Sequence, residues 1–166
     1  MAPWTVAMHT ALELAAHAPA GGDIPVGALV LDPDGRVLAT AHNRCEVDGD
    51  PTAHAEMLAI RDAAARLGDL RLVGCTLVVT LEPCTMCAGA IVLARLERLV
   101  LGAWDPKAGA CGSVRDVVRD SRLNHRVEVI GGVEAGRSAR LLRTFFAQRR
   151  LRRPSASPAF PPPPDP

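Results

Sequence analysis

Beyond residue 53 the chain alternates helix-length and strand-length segments, and no other feature constrains its fold as much. Residues 75–81 are rich in β-branched residues and read as a buried strand, and 98–102 and 127–130 read as further strands. A helix is expected over about 53–67, with Thr52 able to cap it and Gly68 past its end. Another is expected over 84–94, where Pro83 suits the first turn. A short helix near 114–119 and a long one over about 134–150 complete the series. Upstream, Trp4, Met8, Ala11, Leu12 and Ala15 recur at helical spacing, which predicts an amphipathic helix over 5–18 ending at Gly21-Gly22. Residues 24–31 and 36–41 flank the turn Asp32-Pro33-Asp34-Gly35 and form a hairpin, followed by a polar loop over 48–52. Helix, hairpin, then alternating helices and strands define an α/β sandwich with one central sheet.

A chain of 166 residues accommodates one such domain, over 1–153. Residues 154–166 are rich in Pro, Ser and Ala and include the run Pro161–Pro164; that composition cannot build a core, so a disordered, extended tail is expected. The net charge of +1 selects no partner, but its distribution is uneven. Arg137, Arg140, Arg143, Arg149, Arg150, Arg152 and Arg153 stand together without an acidic residue. Such a cluster neutralises phosphates in a nucleic-acid binder, or forms an ordinary solvated helix face. No run of about 18 apolar residues exists to span a membrane. The Ala-rich start carries His9, Glu13 and His17 and no basic region, so it does not read as a secretory leader. Five cysteines in no repeating framework fit a reducing cytoplasm, where Cys-x-x-Cys binds metal or does redox chemistry.

Two short segments carry the chemistry: His54-Ala55-Glu56 and Pro83-Cys84-Thr85-Met86-Cys87. In the first turn of a helix, His54 and Glu56 diverge by about 200°, so one binds a metal while the other leans over it. Cys84 and Cys87, three apart at the next helix start, share a face and reach one ion. A helix N-terminus also favours the thiolate. One nitrogen and two sulfur ligands suit zinc and leave the fourth tetrahedral position to water, the arrangement of a catalytic site. Water held there ionises at about pH 7. Hydrolytic loss of an aromatic amine needs that nucleophile and protons delivered to a ring nitrogen and to the leaving ammonia, and Glu56 is placed to move them. Two other readings use part of the pattern: a structural zinc site with Cys45, Cys75 or Cys111 as fourth ligand, and a redox Cys-x-x-Cys pair. The redox pair requires neither His54 nor Glu56.

His-x-Glu followed by Pro-Cys-x-x-Cys is the signature of the zinc-dependent nucleobase deaminases. Further stretches narrow the likeness: Ile24-Pro25-Val26-Gly27-Ala28, His42-Asn43-Arg44, Asp50-Pro51-Thr52-Ala53, Thr80-Leu81-Glu82, Lys107-Ala108-Gly109-Ala110, Asn124-His125-Arg126-Val127 and Phe145-Phe146. Over about 24–150 the chain resembles the bacterial tRNA-specific adenosine deaminases, within the cytidine/deoxycytidylate deaminase superfamily. The resemblance implies a three-layer α/β/α sandwich around a mixed five-stranded sheet of the cytidine deaminase-like kind. It implies one Zn2+ per subunit on His54, Cys84 and Cys87, with Glu56 catalytic. It further implies hydrolysis of the wobble adenosine of a tRNA anticodon to inosine, a homodimer, and a cytoplasmic location. Asn43 matches the residue that bonds the target base, and a turn residue is the plainer reading of it. Pro25, Val26, Ala55, Leu81, Pro83 and Ala103 match positions around the nucleotide. Asp105 and Lys107 match the loop beside the flanking nucleotides, and Phe145, Phe146, Arg149 and Arg150 the helix that meets the anticodon loop. Trp104 departs from the pattern and either stacks on a base or closes its loop. Two alternatives remain at this stage: a deaminase of free guanine, cytosine or cytidine, and a non-catalytic zinc-stabilised RNA-binding domain.

Overall fold

Strand β1 (Gly27–Leu31) is buried along its whole length because it lies inside a sheet covered by helices on both faces. The structure, a computed structural model, describes residues 4–152; the expected Pro-rich tail over 154–166 and Arg153 lie outside the described residues. The remaining strands are β2 (Val37–His42), β3 (Thr76–Leu81), β4 (Arg98–Ala103) and β5 (Glu128–Ile130), in the spatial order β2-β1-β3-β4-β5. β1 runs antiparallel to β2 and β3, whereas β3, β4 and β5 are parallel, so the sheet is mixed.

Side chains alternate across the sheet and divide the core in two. Ala28, Val30, Leu77, Val79, Leu99 and Leu101 point to one side, against α3 (Ala55–Leu67) and α4 (Thr85–Leu93). Leu29, Leu31, Val78 and Val100 point to the other, against α1 (Thr5–Ala15) and Leu141 of α5 (Ala135–Arg152). These are the three layers expected. Each fully buried Leu or Val in them is worth about 1.5–3 kcal/mol of transfer free energy. The α1 layer sits so close that a Cβ at Gly27 would collide with the backbone of Ala11 and Ala15.

Several boundaries differ from the expectation, each for a local reason. The first helix stops at Ala15, and a 3-10 turn (Ala18–Gly21) follows, with Pro19 near its start and left-handed Gly22 closing it. Residues 24–26 precede the sheet: Val26 N–H donates to the Ile24 carbonyl at 2.8 Å, a tight turn around Pro25. A one-turn helix that the sequence reading did not expect, α2 (Cys45–Asp48), leads into the polar loop and is closed by Gly49. Thr52 does not cap α3; it donates to Asp50 Oδ1, and His54 takes the cap position. No helix forms over 114–119. There the chain folds back on itself, with Val117 N–H on the Ala110 carbonyl at 2.9 Å and Gly112 N–H on the Arg115 carbonyl at 2.8 Å.

Candidate active site

The parallel half of the sheet and the start of α3 bring the two sequence motifs together. β3 ends at Leu81, and Glu82-Pro83 lead directly to Cys84, the cap residue of α4 with extended backbone (φ −72°, ψ 176°). His54 holds the same place on α3 (φ −71°, ψ 149°). Helix cap positions usually hold a side chain that bonds the first turn. Neither His54 nor Cys84 does so, and both side chains turn instead toward a common point. Nδ1 of His54 lies 3.7 Å from Cys84 Sγ and 3.5 Å from Cys87 Sγ. Zinc–nitrogen and zinc–sulfur bonds of about 2.05 and 2.3 Å at tetrahedral angles require N···S separations of about 3.6 Å. The three side chains therefore fit zinc as they stand, with Nδ1 as the imidazole ligand. None of Cys45, Cys75 and Cys111 joins the cluster among the described residues.

In the metal-free cluster the three ligands share their protons unequally. The Cys87 thiol and the His54 ring hydrogen-bond to Cys84 and hold its pKa at about 3, so Cys84 is the thiolate of the pair. Cys87 is pushed up, chiefly because its proton serves that bond and secondarily by burial. His54 is raised by its bond to Cys84. Glu56, in the first turn of α3 and 3% exposed, has its carboxyl raised by burial. A cation bound beside it would restore the charged form.

A cavity of about 250 Å³ opens beside this cluster. Val26, Asn43, Leu81, Asp105 and Arg149, all expected near substrate, line it with His54, Glu56 and Cys84. Asn43 Oδ1 accepts the Ala55 N–H at 2.9 Å, which leaves Nδ2 as the end of the amide able to donate. Pro25, Ala55, Pro83 and Ala103 are buried and are not among the residues that line it. Lys107, Phe146 and Arg150 are exposed and outside it. Phe145 and Arg149 lie in an adjoining depression of about 530 Å³ with Pro19 and Gln148, and the Arg149 guanidinium sits 5.9 Å from the Phe145 ring centroid. Trp104 closes its loop: its ring lies on Gly131, where no Cβ would fit.

Among the lining residues that the sequence reading gave no role are three acidic ones, Asp23, Glu46 and Glu82. Asp23 is buried and accepts the N–H groups of Glu46 and Val47 at 3.1 and 3.4 Å, which caps α2 from a distance. Glu82 is adjacent to Pro83 in the metal motif, yet its partners lie more than twenty residues away.

A buried carboxylate, three zinc-type ligands and a small cavity on a mixed α/β/α sheet define a metal-assisted hydrolytic site. The model of the cytidine and deoxycytidylate deaminase zinc-binding region matches residues 4–103, and the chain belongs to that family. It is 49% identical to the tRNA-specific adenosine deaminase of Haemophilus influenzae, over 86% of this chain and 83% of the relative. It is also 51% identical to a tRNA(Ile)-lysidine synthase of Deinococcus deserti, over 89% of this chain but only 27% of that relative's length. Among solved structures, one from a study of A-to-I editing by tRNA:A34 deaminases at the wobble position of transfer RNA superposes with a TM-score of 0.78 at 44% identity, covering 81% of this chain and 97% of the other. Among the described residues, no helix is long and apolar enough to cross a membrane.

Proposed function

We propose that this chain is a tRNA adenosine deaminase that hydrolyses the wobble adenosine of an anticodon to inosine and ammonia. The observation that carries the proposal is the placement of buried Glu56 in one cavity with the His54, Cys84 and Cys87 ligand set. Likeness to relatives that act on tRNA supports the choice of substrate.

His54 Nδ1 and the sulfurs of Cys84 and Cys87 would hold zinc, which supplies, when bound, a water acidic enough to attack at neutral pH. Glu56 takes the proton of the attacking water and delivers it to N1 of the adenine ring. As the C6–N6 bond breaks, the same carboxylate carries the second water proton to the departing amine. Atoms balance: adenosine and water give inosine and ammonia. Asn43 Nδ2 donates to a ring nitrogen of the base, while Val26 and Leu81 flank it, and Pro25, Ala55, Pro83 and Ala103 support that wall from behind. Asp105 and Lys107 meet the neighbouring nucleotides. Phe145, Phe146, Arg149 and Arg150 meet the anticodon loop, whose single-stranded bases are displaced into a pocket at modest cost. The protein works as a homodimer in the cytoplasm, with one zinc per subunit.

Incubating the zinc-loaded protein with a full tRNA carrying adenosine at the wobble position, and mapping inosine by sequencing, tests the assignment. Inosine at that position alone is expected. Conversion at scattered adenosines, or none, would reject it. Sedimentation of the same sample checks for the dimer.

A further inference from the structure

We propose that Glu82 is a positioning residue for substrate, tying the loop that carries Asp105 and Ala108 to the segment that carries Cys84. The inference rests on the tRNA deaminase reading for its substrate and on geometry for everything else. Glu82 is 2% exposed and forms no ion pair among the described residues. A buried carboxylate without a cation is costly unless its oxygens are fully bonded. Here they are. Oε2 accepts the Asp105 N–H at 2.9 Å, and Oε1 accepts the N–H groups of Cys111 and Ser113, each at 3.0 Å.

All three donors belong to the stretch that follows β4, which has no helix or strand of its own before β5. A long irregular segment holds one shape only where something outside it satisfies its backbone. Glu82 does this from the segment between β3 and α4, and its neighbours extend the tie. Ala110 N–H donates to the Pro83 carbonyl at 2.9 Å, Glu82 N–H to the Ala103 carbonyl at 2.8 Å, and Cys84 bridges to Gly109. Gly109 has no room for a side chain, because a Cβ there would collide with the Glu82 carboxylate and Ser113 Oγ. Glu82, Asp105 and Ala108 all line the cavity. The wall on that side is therefore set by where one carboxylate holds three amides, two residues before a metal ligand.

The substitution Glu82→Gln separates the two oxygens. The Gln carbonyl still accepts from Cys111 and Ser113, while its NH2 faces the Asp105 N–H, donor against donor, so only the Asp105 arm is released. With zinc-loaded protein and an anticodon stem-loop carrying a wobble adenosine, KM should rise about tenfold, as for the loss of one charge-assisted hydrogen bond to a partly buried N–H. Turnover should stay within about twofold and zinc content should be unchanged. Gly109→Ala, which displaces the carboxylate without altering its charge, should give the same split. Hydrogen exchange at Asp105 should quicken in Glu82→Gln, with Cys111 still protected, and this readout needs no RNA. A folded, zinc-loaded Glu82→Gln protein with unchanged KM and unchanged exchange would overturn the proposal, as would lost turnover or lost zinc at constant KM. If the wild-type protein leaves the stem-loop untouched, the substrate assignment fails, and exchange at Asp105 still decides the role of Glu82.

Discussion

The Asn43 side-chain oxygen accepts the Ala55 backbone N–H at 2.9 Å, across twelve residues of sequence. Ala55 is the first residue of α3, and His54 before it makes no capping bond, so Asn43 supplies the missing cap and in the same act aims its Nδ2. The two roles separate by substitution. Asn43→Asp keeps an acceptor for Ala55 and removes the donor; thermal stability should stay within about 1 kcal/mol while kcat/KM falls at least about tenfold. Asn43→Ala removes both and should also lower stability by about 1–2 kcal/mol. Denaturation and steady-state kinetics on the two variants check this; equal stability in both would deny the cap.

Burial raises the Glu56 carboxyl, and this gives the metal-free protein a pH signature. A carboxyl raised on folding keeps its proton in the native state after the unfolded chain, near about pH 4.3, has released it. The native state then binds more protons than the unfolded, so stability falls as pH climbs from there through the raised pKa. Glu56→Gln does not titrate. The metal-free variant should match wild type at about pH 4 and become progressively more stable than it as pH rises, by thermal denaturation of the two apoproteins. Zinc should narrow the difference, since a nearby cation stabilises the carboxylate.

Arg149 lines the cavity and stands 3.8 Å from Glu46, with the two side chains 50% and 60% exposed. An ion pair so exposed contributes under about 1 kcal/mol, so Arg149→Ala should leave the melting temperature nearly unchanged. Its charge matters to an anion instead. The variant should raise KM for the stem-loop several-fold and reduce the salt dependence of binding by about one unit of slope. Glu46→Ala, which frees the guanidinium, should move KM the other way. An unchanged KM in Arg149→Ala would remove this residue from the RNA contact.

The metal half of the site was legible in the sequence because each motif is local: one residue separates His54 from Glu56, and two separate Cys84 from Cys87. Layering was legible for a similar reason, since the unbroken apolar runs of β1 and β3 mark strands covered on both faces and the helical spacing in α1 marks the face it packs on them. What escaped depends on distant partners. Thr52 satisfied every local rule for a cap, yet the N–H of Ala55 is satisfied by Asn43. Residues 114–119 read as helix because nothing nearby forbids it. Glu82, far back in the chain, claims the N–H groups of Cys111 and Ser113 and holds the preceding turn open. The pocket lining was half legible, with Val26, Asn43 and Leu81 placed from motifs and Asp23 and Glu46 set there by the fold.

The most direct test measures inosine and ammonia together after zinc-loaded protein meets an anticodon stem-loop with a wobble adenosine, beside free adenosine, guanine and cytidine, with Glu56→Ala as the blank. Inosine and ammonia in equal amounts from the stem-loop alone, falling at least about a thousandfold in a variant that still binds zinc, is the predicted result. Turnover of a free base with an untouched stem-loop, or full activity without Glu56, would contradict it.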